Sequence, residues 1–300
     1  MKIGKGICYG TFGELVQGVL DKSPFLITLP IPSLKSEATF FPNFSSTEII
    51  GSPNKAKAIA ACEKLLQHFM IDIGGTLIIN SNIKVGKGLA SSSADIVAAM
   101  RAVADSFNLT LSEELISCIA IEVEPTDGVM YPDSVAYDFL NGKLIENLGP
   151  IPPYHLIGFD FGGVVDTIAF NKIPKDYSLN DKCMFLKAYE LAKKGIKNSD
   201  LSLLCVASTI SATINQKFLP KPLFAEFEQL AHSYGGGIVC AHSGTVIGIL
   251  VEPNLNKTKE LIKHIELELK KKQGVGIKPI LFVNGNSIET LCEEQSMSFF

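Results

Sequence analysis

No stretch of this 300-residue sequence reaches the roughly 18 uninterrupted apolar residues that a membrane-spanning helix needs. The opening residues, Met1-Lys2-Ile3-Gly4-Lys5-Gly6, also lack the apolar centre of a secretory signal, so a cytoplasmic protein with no membrane partner is the expectation. Basic residues are not in excess. The formal charge is −4, which leaves no source for the phosphate neutralisation on which nucleic-acid binding rests. The one basic tract, Lys270-Lys271-Lys272, follows Glu260, Glu266 and Glu268 on a helical pattern and reads as a solvated face with cations near its C-terminal end. No C-x-x-C pair occurs among the cysteines at 8, 62, 118, 183, 205, 240 and 292, which are odd in number and widely spaced. That spacing argues against a disulfide framework or a zinc site. Apolar settings such as Leu203-Leu204-Cys205-Val206 mark most of these residues as buried, reduced thiols. Internal repeats and low-complexity tracts are absent too.

What is present suits a compact soluble fold: 46% of residues are apolar and only 19% charged, enough to bury two cores in a chain of this length. A connection at Pro150-Ile151-Pro152-Pro153 divides the chain into domains of residues 1–150 and 151–300. In the first, strands are predicted around Ile3 to Cys8 and Phe25 to Leu29, separated by a Gly-bearing segment. Ser52-Pro53 supplies an N-cap and a first-turn proline for an amphipathic helix to about Met70. Thr76 to Asn80 reads as a strand, and Ile96, Val97, Met100, Val103, Ala104 and Phe107 recur at helical spacing. Thr110 and Glu113 have the spacing of a capping box for a helix through Glu122. Asn141-Gly142 suits a type I′ hairpin turn between strands from Val135 to Leu148. Farther on, strands are predicted at His155 to Phe159, Ile238 to Ala241, Thr245 to Leu250 and Ile277 to Val283, with helices at Phe224 to Ser233 and Lys257 to Lys272. Strands and helices without strict βαβ alternation indicate an α+β fold.

The most informative segment lies between a strand and a helix: Gly86-Lys87-Gly88-Leu89-Ala90-Ser91-Ser92-Ser93-Ala94. Glycines let backbone approach a ligand, and a following helix N-terminus offers unpaired amides and a positive dipole end. Such a loop can hold phosphate, with Lys87 as a cation and Ser91, Ser92 and Ser93 as hydroxyls for phosphate or Mg2+. Neither the G-x-x-x-x-G-K-S/T loop nor the dinucleotide G-x-G-x-x-G is present, and taken alone the segment reads equally as serines capping a helix.

The run Gly88-Leu89-Ala90-Ser91-Ser92-Ser93-Ala94 resembles the P-x-x-x-G-L-x-S-S-A phosphate motif of the GHMP kinases, with Lys84 at the place of the usual proline. Two further runs are similar to motifs of the same family, in the same chain order. Gly13-Glu14-Leu15-Val16-Gln17-Gly18 resembles the first motif, in the form found in bacterial L-threonine kinases of cobalamin side-chain synthesis, although Phe12 stands where those carry cysteine. Gly235-Gly236-Gly237 through Ala241-His242-Ser243-Gly244-Thr245 resembles the glycine-rich third motif. Singly, the outer two read as ordinary polar loop residues and a flexible turn.

Four acids crowd the segment Glu122, Glu124, Asp127 and Asp133 beside Pro and Gly turns, which fits a divalent cation or a solvated turn after a helix. Glu124-Pro125-Thr126-Asp127-Gly128 resembles the E-P-S/T-D-G run of threonine kinases, and Pro132-Asp133-Ser134-Val135 the P-D-N-V run of homoserine kinase.

The resemblance implies a two-domain fold, an N-terminal domain like ribosomal protein S5 domain 2 and a ferredoxin-like C-terminal domain. It implies ATP and Mg2+ as cofactors, with nucleotide on Val85, Gly86, Lys87, Gly88, Leu89, Ala90, Ser91, Ser92, Ser93 and Ala94. Ser92, Glu124 and Asp127 form the implied metal set. Asp127, Lys87 and Asp133 are the implied catalytic residues, Asp127 as metal ligand or acceptor-orienting base. Glu14, Gln17, His242, Ser243 and Gly244 line the implied acceptor site, Glu14 being suited to an ammonium group. His242 reads equally as a strand-end histidine held by a local carbonyl, and His68 as structural. The implied acceptor is L-threonine, with homoserine or another small hydroxylated metabolite as alternatives, and a catalytically silent sensor on the same fold as the rival of another class.

Overall fold

Along Gly4 to Tyr9 buried and exposed residues alternate strictly, the period-2 signature of a half-buried strand. The computed structural model, which describes residues 2–21, 23–273 and 279–288, carries that strand much farther than the sequence suggests. Strand β1 (Gly4–Leu20) pairs antiparallel with β2 (Ser23–Asn43) from Gly4↔Phe40 to Leu20↔Ser23. The Gly-bearing segment expected to separate two short strands is instead part of one. Register shifts at Tyr9/Gly10, Thr11/Glu14 and Glu14/Val16 mark bulges that bend the ribbon and re-aim the side chains between them, Glu14 among these.

Short β3 (Ile49–Gly51) leads into a 3-10 turn at Pro53–Lys55 and helix α1 (Ala56–His68). The expected Ser52 cap does not form: its side chain bonds Asn54, and the tight turn takes the place of the first helical turn. His68 is exposed at the end of α1. Strand β4 (Gly74–Ser81) pairs with β2, and β3 lies parallel beside β4. Helix α2 (Ser91–Phe107) is buried on nearly every side, with Ala94, Ala98, Ala99 and Ala102 fully enclosed. It packs on β1 and β2.

Helix α3 (Glu113–Ile121) is capped by Ser112, whose hydroxyl accepts from the Leu115 amide. The expected cap at Thr110 is displaced by two residues, because the Ser112 side chain sits within reach of the free first-turn amides. The hairpin β5 (Ser134–Asp138) and β6 (Lys143–Gly149) also differs from expectation in its turn. Only Gly142 has positive φ, at 67°, so the connection is not type I′. Asp138 Oδ1 instead accepts from the amides of Leu140 and Asn141, which stabilises a longer loop.

The Pro150–Pro153 stretch joins β6 to β7 (His155–Asp160). Then come α4 (Thr167–Asn171), α5 (Leu179–Lys197), α6 (Leu201–Asn215) and α7 (Phe224–Ser233). After them follow β8 (Gly237–Cys240), β9 (Val246–Val251), α8 (Leu255–Gln273), β10 (Ile280–Val283) and β11 (Asn286–Ile288). The strand expected from Ile277 begins at Ile280, residues 277 and 278 lying outside the described residues. The basic run of α8 is a solvated face, with Lys271 paired to Glu268 and Lys272 to Glu226.

Among the described residues the strands form one sheet in the order β11-β10-β7-β9-β8-β1-β2-β4-β3, with the β5–β6 hairpin attached to β2. Two hydrophobic cores flank it, one around α2 and β1–β2, the other around β7, β9, α7 and α8. They meet where β8 touches β1 through the pair Glu14↔Cys240. Cys8, Cys62, Cys205 and Cys240 are buried and free, Cys118 and Cys183 exposed and free, and Cys292 lies outside the described residues. Among the described residues no helix is long and apolar enough to cross a membrane.

Candidate active site

The loop between β4 and α2 shapes the site. Ala90 takes a left-handed conformation, φ 58°, and offers no side-chain cap, so the first-turn amides of α2 are not capped by a side chain. The serines therefore do not cap the helix; they are its first turn. Ser92 donates to Glu124, while the Ser93 hydroxyl lies 3.2 Å from Asp127 Oδ2 and accepts from the Asp127 amide. Two acids from the turn after α3 are thus tied to the helix start.

The loop's curvature is fixed by the two outer motifs. The Gly88 carbonyl accepts from the Gly13 amide at 3.0 Å, and the Lys87 carbonyl accepts from the Thr245 amide at 3.0 Å. Gly88 has φ 79°, and a Cβ there would stand 2.2 Å from Ala241 Cβ. A Cβ at Gly244 would stand 2.1 Å from the Lys87 carbonyl oxygen. Only backbone fits at this crossing.

A cleft of 360 Å3 opens beside the loop, within the range of small-ligand sites. Its walls bring together Val85, Gly86, Gly88 to Ser93, Glu124, Asp127, Glu14, Gln17 and Ser243. Ala94 lies one step deeper, fully buried. Segment Val164–Thr167, after β7, closes one side, with the Val165 amide bonded to the Gly86 carbonyl.

Several sequence expectations fall elsewhere. Lys87 does not line the cleft: its ammonium lies 2.9 Å from Asp160 Oδ2 and donates to the Gly163 carbonyl at 2.7 Å. Burial would raise the Asp160 carboxyl, but hydrogen bonds from Lys87, Thr245 and the Gly162 amide hold it below the ordinary range. Asp133 is outside the cleft lining, as is Gly244, whose carbonyl accepts from the buried Lys221. His242 is buried behind Glu14, within 3.1 Å of it through Nδ1 and 2.9 Å from Ser211 Oγ through Nε2. The Cys240 carbonyl lies 3.2 Å from the same Nδ1, so the local-carbonyl reading of this histidine describes one of its contacts.

Three residues went unnoticed in the sequence. Lys57, on α1, reaches into the cleft and pairs with Glu124. Nothing in its surroundings distinguishes it from other helix-surface lysines. Asp160 and Ser211 are likewise set by tertiary contact, though a serine facing inward on apolar α6 was a visible signal.

Glu14, Glu124 and Asp127 converge. Burial, then the charges of Glu14 and Glu124, push the Asp127 carboxyl up to about 7 against the bond from Ser93. Among the described residues no group of three or more His, Cys, Asp or Glu could hold a metal unaided. The oxygens of Ser92, Glu124 and Asp127 are hard donors that suit Mg2+, an ion that completes its shell with water and phosphate.

The pattern of the GHMP kinases N terminal domain matches residues 54–132. An L-threonine kinase of Salmonella typhimurium is 26% identical over 251 residues, 82% of this chain and 82% of that protein. An L-threonine kinase of Citrobacter freundii is 27% identical over 259 residues, 82% of this chain and 86% of that protein. The crystal structure of homoserine kinase from Cytophaga hutchinsonii matches with a TM-score of 0.72 over 96% of both chains, at 16% identity, a likeness of fold. With residues 54–132 matching the N-terminal domain of the GHMP kinases and a two-domain α+β fold shared with solved members, this chain has the GHMP kinase fold and is similar to that superfamily.

Proposed function

We propose that the protein transfers the γ-phosphoryl group of ATP to the hydroxyl of a small amino acid, L-threonine before homoserine. The observation that carries this reading is the pairing of Ser92 with Glu124 and Ser93 with Asp127, which sets two acids at the mouth of an open helix N-terminus. Threonine ranks first because the two relatives similar over most of the chain are L-threonine kinases. The homoserine alternative leaned on Asp133, which does not line the cleft.

In this reading residues 1–150 hold the nucleotide and residues 151–300 complete the acceptor side. The triphosphate lies against the first-turn amides of α2 and the Gly86–Ser93 loop, where backbone donors and the helix dipole offset its charge. Ser92, Glu124 and Asp127 would hold Mg2+, which would supply charge neutralisation at the phosphates. Lys57 must release Glu124 for that, and its freed ammonium stays in the cleft near the phosphates. Asp127 Oδ1, unengaged by Ser93, orients the acceptor hydroxyl and takes its proton as the oxygen bonds the γ-phosphorus and ADP leaves. Catalysis then rests on positioning and electrostatics, with no covalent enzyme intermediate. Lys87 braces the loop from outside through Asp160.

ADP release with Mg2+ across threonine, serine, homoserine, mevalonate and galactose tests this. Threonine should give the highest kcat/KM. Tight ATP binding with turnover of none would move the chain to the silent-sensor class.

A further inference from the structure

We propose that Lys221 is a positioning residue of the phosphate loop: from outside the cleft its ammonium orients two peptide groups in series, the second of which presents the Gly88 amide to an anion. This rests on the reading above that the Gly86–Ser93 loop takes the nucleotide's phosphates.

Lys221 lies between α6 and α7, outside every motif singled out in the sequence, and is 6% exposed. Its own amide donates to Gln216 Oε1 at 2.6 Å, which fixes the backbone from which the side chain runs. The ammonium donates to the Gly244 carbonyl at 2.6 Å, and among the described residues no carboxylate pairs with it. Burial lowers its pKa, while Cys240 and the charge of Glu14 act the other way. Glu14 nevertheless bonds the His242 amide rather than this ammonium. Burying an ammonium against one neutral oxygen is costly, and an apolar side chain of similar length would fill the same space without that cost.

The Gly244 carbonyl and the Thr245 N–H belong to one planar trans peptide and point in opposite directions. Lys221 holds the first, and the second donates to the Lys87 carbonyl at 3.0 Å, which the Val246 amide also approaches at 3.4 Å. That carbonyl in turn shares its peptide with the Gly88 N–H, which therefore faces away from Thr245. Among the described residues the Gly88 N–H has no acceptor, and Gly88 lines the cleft. Gly244 packs on the face of the same peptide: a Cβ there would stand 2.1 Å from the Lys87 oxygen and 2.3 Å from the Gly88 nitrogen, so no side chain separates the two units. Hydrogen bonds in such a chain polarise one another, so a positive charge at the buried end strengthens the free donor at the cleft end. The same chain ties the slant of the loop to the connection between α6 and α7. Lys87 cannot take this part, since its ammonium is bound to Asp160 and Gly163 outside the cleft.

The test is calorimetric titration of nucleotide-free protein with MgATP, with inorganic tripolyphosphate in Mg2+, and with adenosine. Wild type is compared with Lys221→Met, which keeps the length of the side chain and removes its donors and charge. Coupling carried through intervening groups corresponds to about a 3–30-fold effect. Lys221→Met should weaken MgATP and tripolyphosphate by that factor and leave adenosine unchanged. Lower stability in urea with unchanged affinity for both phosphate ligands makes Lys221 merely structural and overturns the inference while the kinase reading stands. An equal loss for adenosine overturns it too, because it marks a site loosened as a whole. If Lys221→Met does not fold, the wild type decides by nuclear magnetic resonance of isotope-labelled protein. Tripolyphosphate should move the Gly88 amide proton downfield, and an unmoved Gly88 amide overturns the proposal. Wild type that binds neither MgATP nor tripolyphosphate fails the phosphate reading itself, and the inference with it.

Discussion

Replacing Asp127 by asparagine removes one of three carboxylates that share a partly enclosed site. Its carboxyl is raised from 3.8 to about 7 by burial and by Glu14 and Glu124. Because the folded value lies above the unfolded one, the folded state holds the proton longer. The favourable contribution is complete below the unfolded value and is lost as pH rises through 7. About three pKa steps at roughly 1.4 kcal/mol each set a ceiling of about 4 kcal/mol for the charge burden at pH 8. Asp127 is not wholly enclosed, and solvent around it brings the expected figure to about 1–2 kcal/mol. Asparagine cannot ionise, and its oxygen can still accept from Ser93. In EDTA, Asp127→Asn should therefore gain on wild type between pH 4.5 and pH 8, by about 2–6 °C in Tm. The assay is thermal denaturation of both proteins across that range. A gap that stays constant or narrows with rising pH would refute the reasoning, for it would mean that the cluster carries no buried charge. Activity should move the opposite way, Asp127→Asn losing about 100-fold or more in kcat.

Other expectations follow from the same geometry. Ser92→Ala should lower kcat about 100-fold and raise the Mg2+ concentration needed for half-activity, read from metal titrations of ADP release. Gly88→Ala forces a Cβ against Ala241 at positive φ and should cost about 2–4 kcal/mol in urea denaturation. The Lys87–Asp160 pair has the reverse pH sign of Asp127. With Asp160 held below its ordinary value, the pair's stability is present at neutral pH and lost on acidification, so Lys87→Met should cost stability at pH 7 and progressively less below pH 4. At pH 8 a thiol reagent should label Cys118 and Cys183 quickly. Cys8, Cys205 and Cys240, whose thiols burial pushes up to about 12, should react only on unfolding, as counted by mass spectrometry.

Local chemistry made much of the fold legible. The limits of α7 at Phe224 and Ser233 match the hydrophobic periodicity, and the burial alternation of Gly4 to Tyr9 follows from its sequence. The errors arose where a nearby side chain offered a better local bond, as Ser112 does to α3 and Asp138 to the hairpin loop. Long α5 was passed over even though Ser178 and Asp181 form a reciprocal cap at its start. Within the site, Ser92, Ser93, Glu124 and Asp127 could be named because loop and turn chemistry is local. The direction of Lys87 could not, since Asp160 and Thr245 arrive from distant segments, and neither could Lys57, whose only distinction is the acid it meets.

Because the Lys87 carbonyl is held by the Thr245 amide, the Gly86–Ser93 bend is braced by a residue made late in translation. A nascent chain released only as far as α7 would own Ser91, Ser92, Ser93 and every acid of the cleft yet lack Ser243 and the brace that sets the loop's curvature. In the proposed reading, phosphate-binding competence should therefore emerge on the ribosome only after β8 and β9 have docked.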